Sequence, residues 1–283
     1  MPFTMVLMLR CAAQPRLEAR TGPMQVPPRA CCEDGRIGSD GKMKSTALQP
    51  RNAASTPATM ADAIEVAGVT FLADCAGALY WPDECALVVA DLHLEKGSAF
   101  ATRGMLLPPY DTAETLQRLA AVIARFDPRL VVALGDNFHD GGGSSRLSLR
   151  DRATLEALQR GRDWMWIAGN HDPDPAAGLG GLFAGFIALG PIIFRHEPTA
   201  GPCDGEIAGH LHPCARISLR GRAIARRCFA TDGRRLVMPA FGAYAGGLDI
   251  RDRAFRRVFG SAAFDAHRIG ARRTYAFPAG ACL

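Results

Sequence analysis

The sequence lacks the cysteine pairs that mark a disulfide framework or a zinc ribbon. Its nine cysteines are odd in number and irregularly spaced, and no two of them form a Cys-x-x-Cys pair. Disulfide-stapled domains and structural zinc sites depend on regular cysteine spacing. We therefore exclude both classes and expect a reducing, cytoplasmic setting.

Common nucleotide-binding and serine-hydrolase motifs are also absent. Gly178-Leu179-Gly180 lacks the preceding strand and the third glycine of a dinucleotide site, and Lys96-Gly97-Ser98 has the wrong order for a phosphate-binding loop. No serine stands in a Gly-x-Ser-x-Gly turn. The uncharged residues 175–194 contain five glycines and two prolines, which favours loops and short strands over a membrane-spanning helix.

Aromatic residues and excess charge are both scarce. Aromatic side chains make up 7% of the chain, and the net charge is +5. No stacking platform or recognition helix for nucleic acid can be identified in this sequence. The mildly basic charge suits an anionic substrate, but ordinary solubility with an arginine bias is the simpler explanation.

The composition divides the chain into three parts. Residues 1–59 are rich in Arg, Pro, Ala, Ser and Thr without periodicity, so we expect a disordered or mis-assigned N-terminal extension, with Met60 as an alternative start. Residues 60–250 carry regular patterns and are expected to form one domain. Residues 251–283 form a basic C-terminal extension, for which we expect a short helix followed by a tail. Its arginines fit a DNA-binding surface or a solvated face.

Strands and helices alternate in the first half of the central part. Apolar runs between turn residues predict strands, and two amphipathic stretches predict helices. The predicted strands are residues 64–66, 69–72, 78–81, 86–90, 130–134 and 164–168, and the predicted helices begin at Asp111 or Thr112 and at Leu149. Beyond residue 187 the pattern changes to short strands. These patterns predict an α/β fold in which two β-sheets face each other.

Polar residues follow four of the predicted strands at the point where each strand ends. They are Asp91 and His93, then Asp136, then Asn170, His171 and Asp172, and finally His210 and His212. Six of the seven histidines lie in or beside these strand ends. Because ligands bind at the carboxyl ends of strands in open α/β sheets, we predict one shared site there.

The candidate ligands outnumber what one tetrahedral ion needs. The seven side chains are Asp91, His93, Asp136, Asn170, His196, His210 and His212. A carboxylate such as Asp136 can bridge two cations, and mixed Asp, Asn and His ligands suit Mn²⁺ first, with Fe or Zn²⁺ as alternatives. Two such ions acidify a shared water and neutralise charge on a phosphoryl group. The predicted reaction is phosphodiester hydrolysis by a metal-bridging hydroxide.

Four motifs together resemble the calcineurin-like metallophosphoesterases over roughly residues 63–247. They are Asp91-x-His93, Gly135-Asp136-Asn137, Gly169-Asn170-His171-Asp172 and Gly209-His210-x-His212. The resemblance implies a four-layer αββα sandwich, in which helices flank two facing mixed β-sheets. Residues 90–97, 135–140 and 239–247 resemble more narrowly the bacterial ligase-associated DNA damage response endonucleases. That subgroup implies DNA as the substrate and functional association with a DNA ligase, a helicase and a nuclease.

Carried over by position, the resemblance also implies roles for these residues. The first ion would be held by Asp91, His93, Asp136 and His212, and the second by Asp136, Asn170, His196 and His210. His171 would protonate the leaving oxygen, with a purely orienting role as the alternative. His196 is the loosest match, and a loop histidine without a ligand role is the rival interpretation.

The motif after Asp136 departs from the family pattern. Many members have Gly-Asp-x-x-Asp, whose last carboxylate steadies the catalytic histidine, whereas His139 occupies that position here and Asp140 follows it. We predict catalytic roles for His171, Asp172 and His139. Whether His139, Asp140 or neither steadies His171 stays open at this point.

Three residues near the motifs are predicted to contact the substrate, namely Lys96, Arg103 and Asn137. The two basic ones suit phosphate oxygens of the substrate or a DNA backbone, with a solvated loop position as the alternative. The leading hypothesis is a two-metal phosphodiesterase that acts as a DNA-repair endonuclease. The alternatives are a phosphomonoesterase, a small-nucleotide phosphodiesterase and an inactive interaction scaffold on the same fold.

Overall fold

The structure is a computed structural model that describes residues 62–283, except residues 177 and 220 and the side chain of Leu219. The predictions for residues 1–59 lie outside the described residues. Among the helices of the described part, none combines the length and the apolar character needed to cross a bilayer. The cytoplasmic location stays a prediction.

Seven strands form the first β-sheet, in their order along the chain. They are β1 (Asp62–Val66), β2 (Val69–Ala73), β3 (Leu79–Trp81), β4 (Ala86–Val89), β5 (Leu130–Ala133), β6 (Asp163–Ile167) and β7 (Leu182–Ala184). Neighbours from β1 to β4 are antiparallel, and neighbours from β4 to β7 are parallel. The carboxyl ends of β4, β5 and β6 therefore meet at one edge, where three of the predicted motifs lie.

Nine strands form the second sheet. They are β8 (Phe186–Leu189), β9 (Ile192–Arg195), β10 (Glu206–Ala208), β11 (Pro213–Leu219), β12 (Arg222–Thr231), β13 (Arg235–Val237), β14 (Leu248–Asp249), β15 (Asp265–Ile269) and β16 (Thr274–Pro278). The main order is β14-β11-β12-β13-β10-β9-β8, while β15 pairs with β12 and β16 with β15. Because β9 and β10 are parallel neighbours, His196 and His210 emerge from the same edge.

The described residues contain five α-helices. They are α1 (Lys96–Ala101), α2 (Asp111–Phe126), α3 (Gly143–Arg146), α4 (Leu149–Gln159) and α5 (Arg253–Phe259). Ser148 caps α4, because its hydroxyl accepts a hydrogen bond from the Asp151 amide at 3.0 Å. Helix α2 ends where Asp127 turns to a φ of 43°, directly before Pro128. The two predicted helices, α2 and α4, are thus confirmed.

Alternate side chains of the first sheet pack into different layers. Val88 and Val132 lie in a core that also contains Phe194 of the second sheet. Leu87 and Val131 point to the opposite face, where they pack with α2 and α4. This two-sided burial explains why β4 and β5 read as continuous apolar runs.

The outer face of the second sheet is covered by α5. Phe255 and Val258 of this helix pack with Cys228 and Ala230 of β12. The layers therefore run helix, sheet, sheet, helix. This arrangement confirms the predicted αββα sandwich of two facing mixed sheets.

Several local predictions are wrong. Residues 96–101 form α1 and residues 143–146 form α3, although the sequence patterns predict no helix in either segment. The expected C-terminal tail is instead a β-hairpin, in which β15 pairs with β12 through four residue pairs and β16 pairs with β15. Such pairing depends on contacts between distant residues, so the local sequence pattern is weak there. The boundary at residue 250 stays a prediction.

Candidate metal centre

Five residues at the strand ends adopt left-handed backbone conformations, which side chains other than glycine rarely adopt. Their φ angles are 53° for Asp91, 44° for His93, 46° for Asp136, 69° for His210 and 46° for His212. Such conformations persist only where the surrounding structure holds them, and they concentrate at functional sites. Here the His93 amide donates to the Asp136 carbonyl oxygen at 2.8 Å, and the His210 amide donates to the Asp91 carboxylate at 3.0 Å.

Close packing at this edge requires the glycines that precede the predicted ligands. A Cβ atom on Gly169 would lie 2.1 Å from the Asp136 amide nitrogen, and one on Gly135 would lie 2.6 Å from the His196 ring. Gly135 also has a φ of 72°, which only glycine adopts readily. The repeated glycine in the motifs thus reflects how closely the strand ends approach one another.

The first ligand cluster consists of Asp91, His93 and His212. The Nε2 atoms of His93 and His212 lie 3.3 Å apart, and His212 Nε2 lies 3.4 Å from Asp91 Oδ1. Burial and the neighbouring His212 lower the pKa of His93 to about 2. Burial also acts to lower the pKa of His212, but the hydrogen bond to Asp91, together with the charges of Asp91 and Asp136, raises that pKa above its usual value. His93 is therefore neutral at neutral pH, and a neutral imidazole can ligate a cation.

The second ligand cluster consists of Asp136, His196 and His210, with Asn170 beside it. Nε2 of His196 lies 2.9 Å from Asn170 Oδ1, 3.2 Å from His210 Nδ1 and 3.3 Å from Asp136 Oδ1. Burial, followed by the adjacent His196, lowers the pKa of His210. His196, the loosest match in the sequence, therefore lies among the other predicted ligands.

The carboxylate of Asp136 faces both clusters. Its Oδ1 lies 3.3 Å from His196 Nε2 in the second cluster. Its Oδ2 lies 3.9 Å from His93 Nε2 in the first cluster. Asp136 is 3% exposed, so water does not screen this carboxylate from the surrounding imidazoles. A carboxylate in this position can serve two cations at once.

The hydrogen-bonding pattern of His196 shows that the donor set fits a cation. Its Nδ1 lies 2.8 Å from the Leu134 carbonyl oxygen, which can only accept, so Nδ1 carries the proton of the neutral ring. Nε2 then presents a lone pair to the oxygens of Asn170 and Asp136. Lone pairs that converge at these distances repel one another unless a cation lies among them. Nitrogen and oxygen donors without a thiolate suit Mn²⁺, Fe or Zn²⁺, and no cysteine of the described residues joins either cluster.

A third group of imidazoles joins the first cluster to the protein surface. It consists of His93, His139 and His171. Nδ1 of His171 lies 2.8 Å from the His139 carbonyl oxygen, and its Nε2 lies 3.9 Å from Asp136 Oδ2. The His171 side chain is 38% exposed, unlike the buried His93. The backbone of His139, rather than a carboxylate, therefore orients His171. Asp140 instead pairs with Arg146 at 2.8 Å.

Two predicted site residues lie beneath the clusters rather than among them. The Asp172 carboxylate accepts hydrogen bonds from the amides of Asn137 (2.9 Å) and Phe138 (3.2 Å). Its burial raises its pKa to about 6. The Asn137 side chain is buried and donates to the Ile167 carbonyl oxygen at 3.1 Å. Both side chains are directed at the backbone, and the catalytic role of Asp172 and the substrate contact of Asn137 stay predictions.

The two predicted basic residues flank the clusters. Lys96 Nζ donates to the Tyr244 carbonyl oxygen at 2.9 Å, and Arg103 is exposed just beyond α1. Burial is the main cause that lowers the pKa of His139. The positive charge of Lys96 lowers this pKa further, and that of Arg103 contributes as well. Both cations therefore lie near the entrance to the site, and their contact with substrate stays a prediction.

Backbone groups supply part of the site, and sequence reasoning could not identify them. The carbonyl oxygens of Leu134 and His139 orient two histidines, yet every residue type offers such an oxygen. The amides of Phe241 and Gly242 donate to the carbonyl oxygens of Ala90 (2.8 Å) and Asp91 (3.1 Å). Only the residue 239–247 motif signalled that this segment belongs to the site.

Comparisons with known proteins agree with this geometry. A sequence model of the calcineurin-like phosphoesterase family matches residues 86–216. Among solved structures, the Pseudomonas putida nuclease MPE is similar, with 26% identity and a TM-score of 0.57, over 77% of this chain and 100% of that chain. The E. coli phosphoesterase Yfce shares 12% identity over 68% of this chain and 97% of its own, but its TM-score of 0.34 is too low to support any conclusion. None of the curated proteins matches the sequence.

The family match runs from β4 into β11, and this segment contains every residue of the two ligand clusters. The similarity to a nuclease extends across most of the described residues. Residues 86–216 therefore match the calcineurin-like phosphoesterase family, and the comparisons support a metal-dependent phosphoric ester hydrolase.

Proposed function

We propose that this protein is a phosphodiesterase that holds two divalent cations, Mn²⁺ by preference, and cleaves DNA strands as an endonuclease. The observation that carries this proposal is the position of Asp136, whose two oxygens face two separate ligand clusters. A centre for one ion would need only one of these clusters. The likeness to a nuclease supports a nucleic-acid substrate.

The roles of the ligands follow from the clusters. The first cation would contact Asp91, His93, His212 and Asp136, and the second would contact Asp136, Asn170, His196 and His210. When bound, the two cations supply Lewis acidity, which lowers the pKa of water and neutralises charge on phosphoryl oxygens. The protein shields this side of the centre from water, because Asp91 and Asp136 are buried. It also fixes both carboxylates in place before the substrate binds.

His171 is suited to protonating the leaving oxygen. Its Nδ1 donates to the His139 carbonyl oxygen, so its Nε2 is directed at the ligand clusters. When the imidazole is protonated, Nε2–H can donate to an oxygen that leaves phosphorus. The ring is exposed enough to reach a bound substrate, which the buried His93 is not.

The leaving oxygen of an alkyl diester or of an alkyl monoester is an alkoxide, which needs a proton, and His171 is placed to give one. The choice of a diester rests on the likeness to a nuclease. The repair context, the association with a ligase, a helicase and a nuclease, and the cytoplasmic location stay predictions that rest on the resemblance of the motifs.

The test is Mn²⁺-dependent hydrolysis by the purified full chain, with Fe²⁺ and Zn²⁺ in parallel. The substrates are bis-p-nitrophenyl phosphate, p-nitrophenyl phosphate, and single- and double-stranded DNA. Asp136→Asn is the inactive variant, and Asp140→Asn, whose carboxylate pairs with Arg146 outside the clusters, is the matched control.

We expect cleavage of the diester and of DNA that Asp136→Asn abolishes and Asp140→Asn retains. Turnover of the monoester alone would identify a phosphomonoesterase instead. Turnover of the diester without DNA cleavage would point to a small-nucleotide phosphodiesterase. A folded protein without turnover on any substrate and with any of the metals would favour the inactive scaffold.

A further inference from the structure

We propose that an arginine-lined pocket beside the candidate metal centre binds a single-stranded polynucleotide and guides it to the centre. We call it the arginine pocket, and it lies where β12, the β15–β16 hairpin and residues 245–247 meet. This inference rests on the proposed function and specifies its substrate as a strand longer than one nucleotide.

The arginine pocket is a cavity of about 650 Å³ with a one-sided charge. Its walls include Arg226, Arg227 and Arg268, and none of the described residues that line it is acidic. Clustered positive charge in a concave surface attracts a polyanion and raises its local concentration. A strand with a phosphate on every nucleotide is the chemical class that matches this charge.

Two of the three arginines have guanidinium groups available for a ligand. Arg226 is exposed, and its only hydrogen bond within the described residues joins Nη1 to the adjacent Ala225 carbonyl oxygen. Arg268 Nε is buried and has no hydrogen-bond partner among the described residues. Arg227, in contrast, donates to the carbonyl oxygens of Ala240 and Ala76 and holds the two sheets together. We therefore assign phosphate contacts to Arg226 and Arg268.

Tyr275 supplies an aromatic surface beside these arginines. Its side chain is 42% exposed. The guanidinium of Arg268 lies 5.5 Å from its ring centroid, and that of Arg273 lies 5.3 Å away. Arg273 is partly neutralised by Asp62 at 3.9 Å, so Arg268 carries the unpaired charge. An unpaired base can stack on such a ring, whereas the bases of a duplex are already stacked. This feature selects a single strand.

The arginine pocket and the candidate metal centre are bordered by the same segment of the chain. Residues 245–247 line the pocket, and the next residue, Leu248, donates its amide to the His212 carbonyl oxygen at 2.9 Å. On the other side of the same segment, the Tyr244 carbonyl oxygen accepts from Lys96. One short segment thus borders both the pocket and the first ligand cluster, and a strand bound in the pocket lies beside the centre.

The experiment measures strand binding apart from catalysis. Fluorescence anisotropy follows the binding of a labelled single-stranded oligonucleotide to the full chain in EDTA, where no cleavage occurs, across a series of salt concentrations. The variants are Arg226→Gln, Arg226→Gln with Arg268→Gln, and Tyr275→Leu. Arg256→Gln is the matched control, because Arg256 is exposed on α5 and lies outside the pocket. Thermal melting verifies folding, and Mn²⁺-dependent hydrolysis of bis-p-nitrophenyl phosphate reports on the centre.

We expect the double variant to bind at least about fivefold more weakly at low salt. Its salt slope should fall by about 1.4, that is, about 0.7 for each phosphate that an arginine no longer neutralises. Tyr275→Leu should weaken single-strand binding about fivefold or more and leave duplex binding unchanged. Hydrolysis of the model diester should stay within about twofold of the unmodified chain in every variant, as for Arg256→Gln.

Binding by the variants that equals that of Arg256→Gln would overturn the inference and leave the proposed function intact. An equal effect of Tyr275→Leu on single and double strands would overturn the selection of single strands. Absence of diester hydrolysis by the unmodified chain would count against the proposed function, whereas the binding measurement in EDTA would still test the pocket.

Discussion

The two ligand clusters differ in how the protein orients their histidines, although both lie where strand ends meet. In the second cluster, Nδ1 of His196 is held by the Leu134 carbonyl oxygen at 2.8 Å. In the first cluster, Nδ1 of His93 is buried without a hydrogen-bond partner among the described residues. His93 is positioned instead by ring packing, with the centroids of His171 and His212 at 5.3 and 5.2 Å.

The two clusters are therefore prepared for a cation to different degrees. Ligand histidines normally donate their second ring nitrogen to a carbonyl or carboxylate, which fixes the tautomer and the ring orientation. His196 gives the second cluster this support before any cation binds. In the first cluster the backbone of Gly246 supports His212, but no group of the described residues supports Nδ1 of His93. The first cluster depends more on its fully buried carboxylate, Asp91, and on the shared Asp136.

The largest effect should come from Asp136→Asn, which removes the charge that faces both clusters. We expect kcat for bis-p-nitrophenyl phosphate to fall about 10³-fold or more, because each of the two proposed cations would lose a ligand. Metal analysis of the purified protein should show loss of both ions. Asp91→Asn, which changes a residue of the first cluster, should lose one ion. Retention of both ions by Asp136→Asn would refute the shared-ligand arrangement.

His171→Ala should have the next largest effect and should spare both clusters. We expect kcat to fall about 10²-fold, as is typical when a general acid is removed. The ion content should stay unchanged, because His171 faces Asp136 from the exposed side. His267→Ala on β15 serves as the control, since this histidine lies outside all three groups. Loss of an ion in His171→Ala would make this residue a ligand instead of an acid.

The unequal orientation of the histidines predicts unequal affinities. In a calorimetric titration with Mn²⁺, we expect two binding steps that differ about tenfold or more in Kd, since second-sphere support changes metal affinity by about 10- to 100-fold. His196→Ala should remove the tighter step, and His93→Ala the weaker one. The reverse assignment would show that the buried Asp91 matters more than histidine orientation.

The smallest effects should come from two glycine variants that disturb one cluster each. A Cβ on Gly135 would meet the His196 ring at 2.6 Å, whereas one on Gly209 would meet Asp91 Oδ2 at 2.7 Å. Gly135→Ala should therefore weaken the tighter Mn²⁺ step about tenfold, and Gly209→Ala the weaker step by a similar factor. Gly141→Ala is the control, because nothing lies within 4 Å of its added Cβ. Equal damage to both steps by either variant would mean that the clusters are not independently supported.

Local sequence patterns were sufficient to predict six of the seven strands of the first sheet, helices α2 and α4, and the residue types at the strand ends, but not β7. Apolar runs, helical periodicity and the glycine before a ligand are properties of a few adjacent residues. They can therefore be recognised without knowledge of the fold. Six of the seven predicted ligands fall in the two clusters, and Asn170 lies beside the second. Their assignment to particular ions stays a prediction.

Which side chains meet, and which way they face, depends on the tertiary structure. His93 and His212 are 119 residues apart in sequence, yet their Nε2 atoms lie 3.3 Å apart, because two sheets pack face to face. Asp172 stands within the histidine motif but turns to the amides beneath it. The C-terminal hairpin likewise brings Arg268 and Tyr275 next to Arg226 through pairing with β12. Such contacts depend on the packing of whole layers, which no local pattern records.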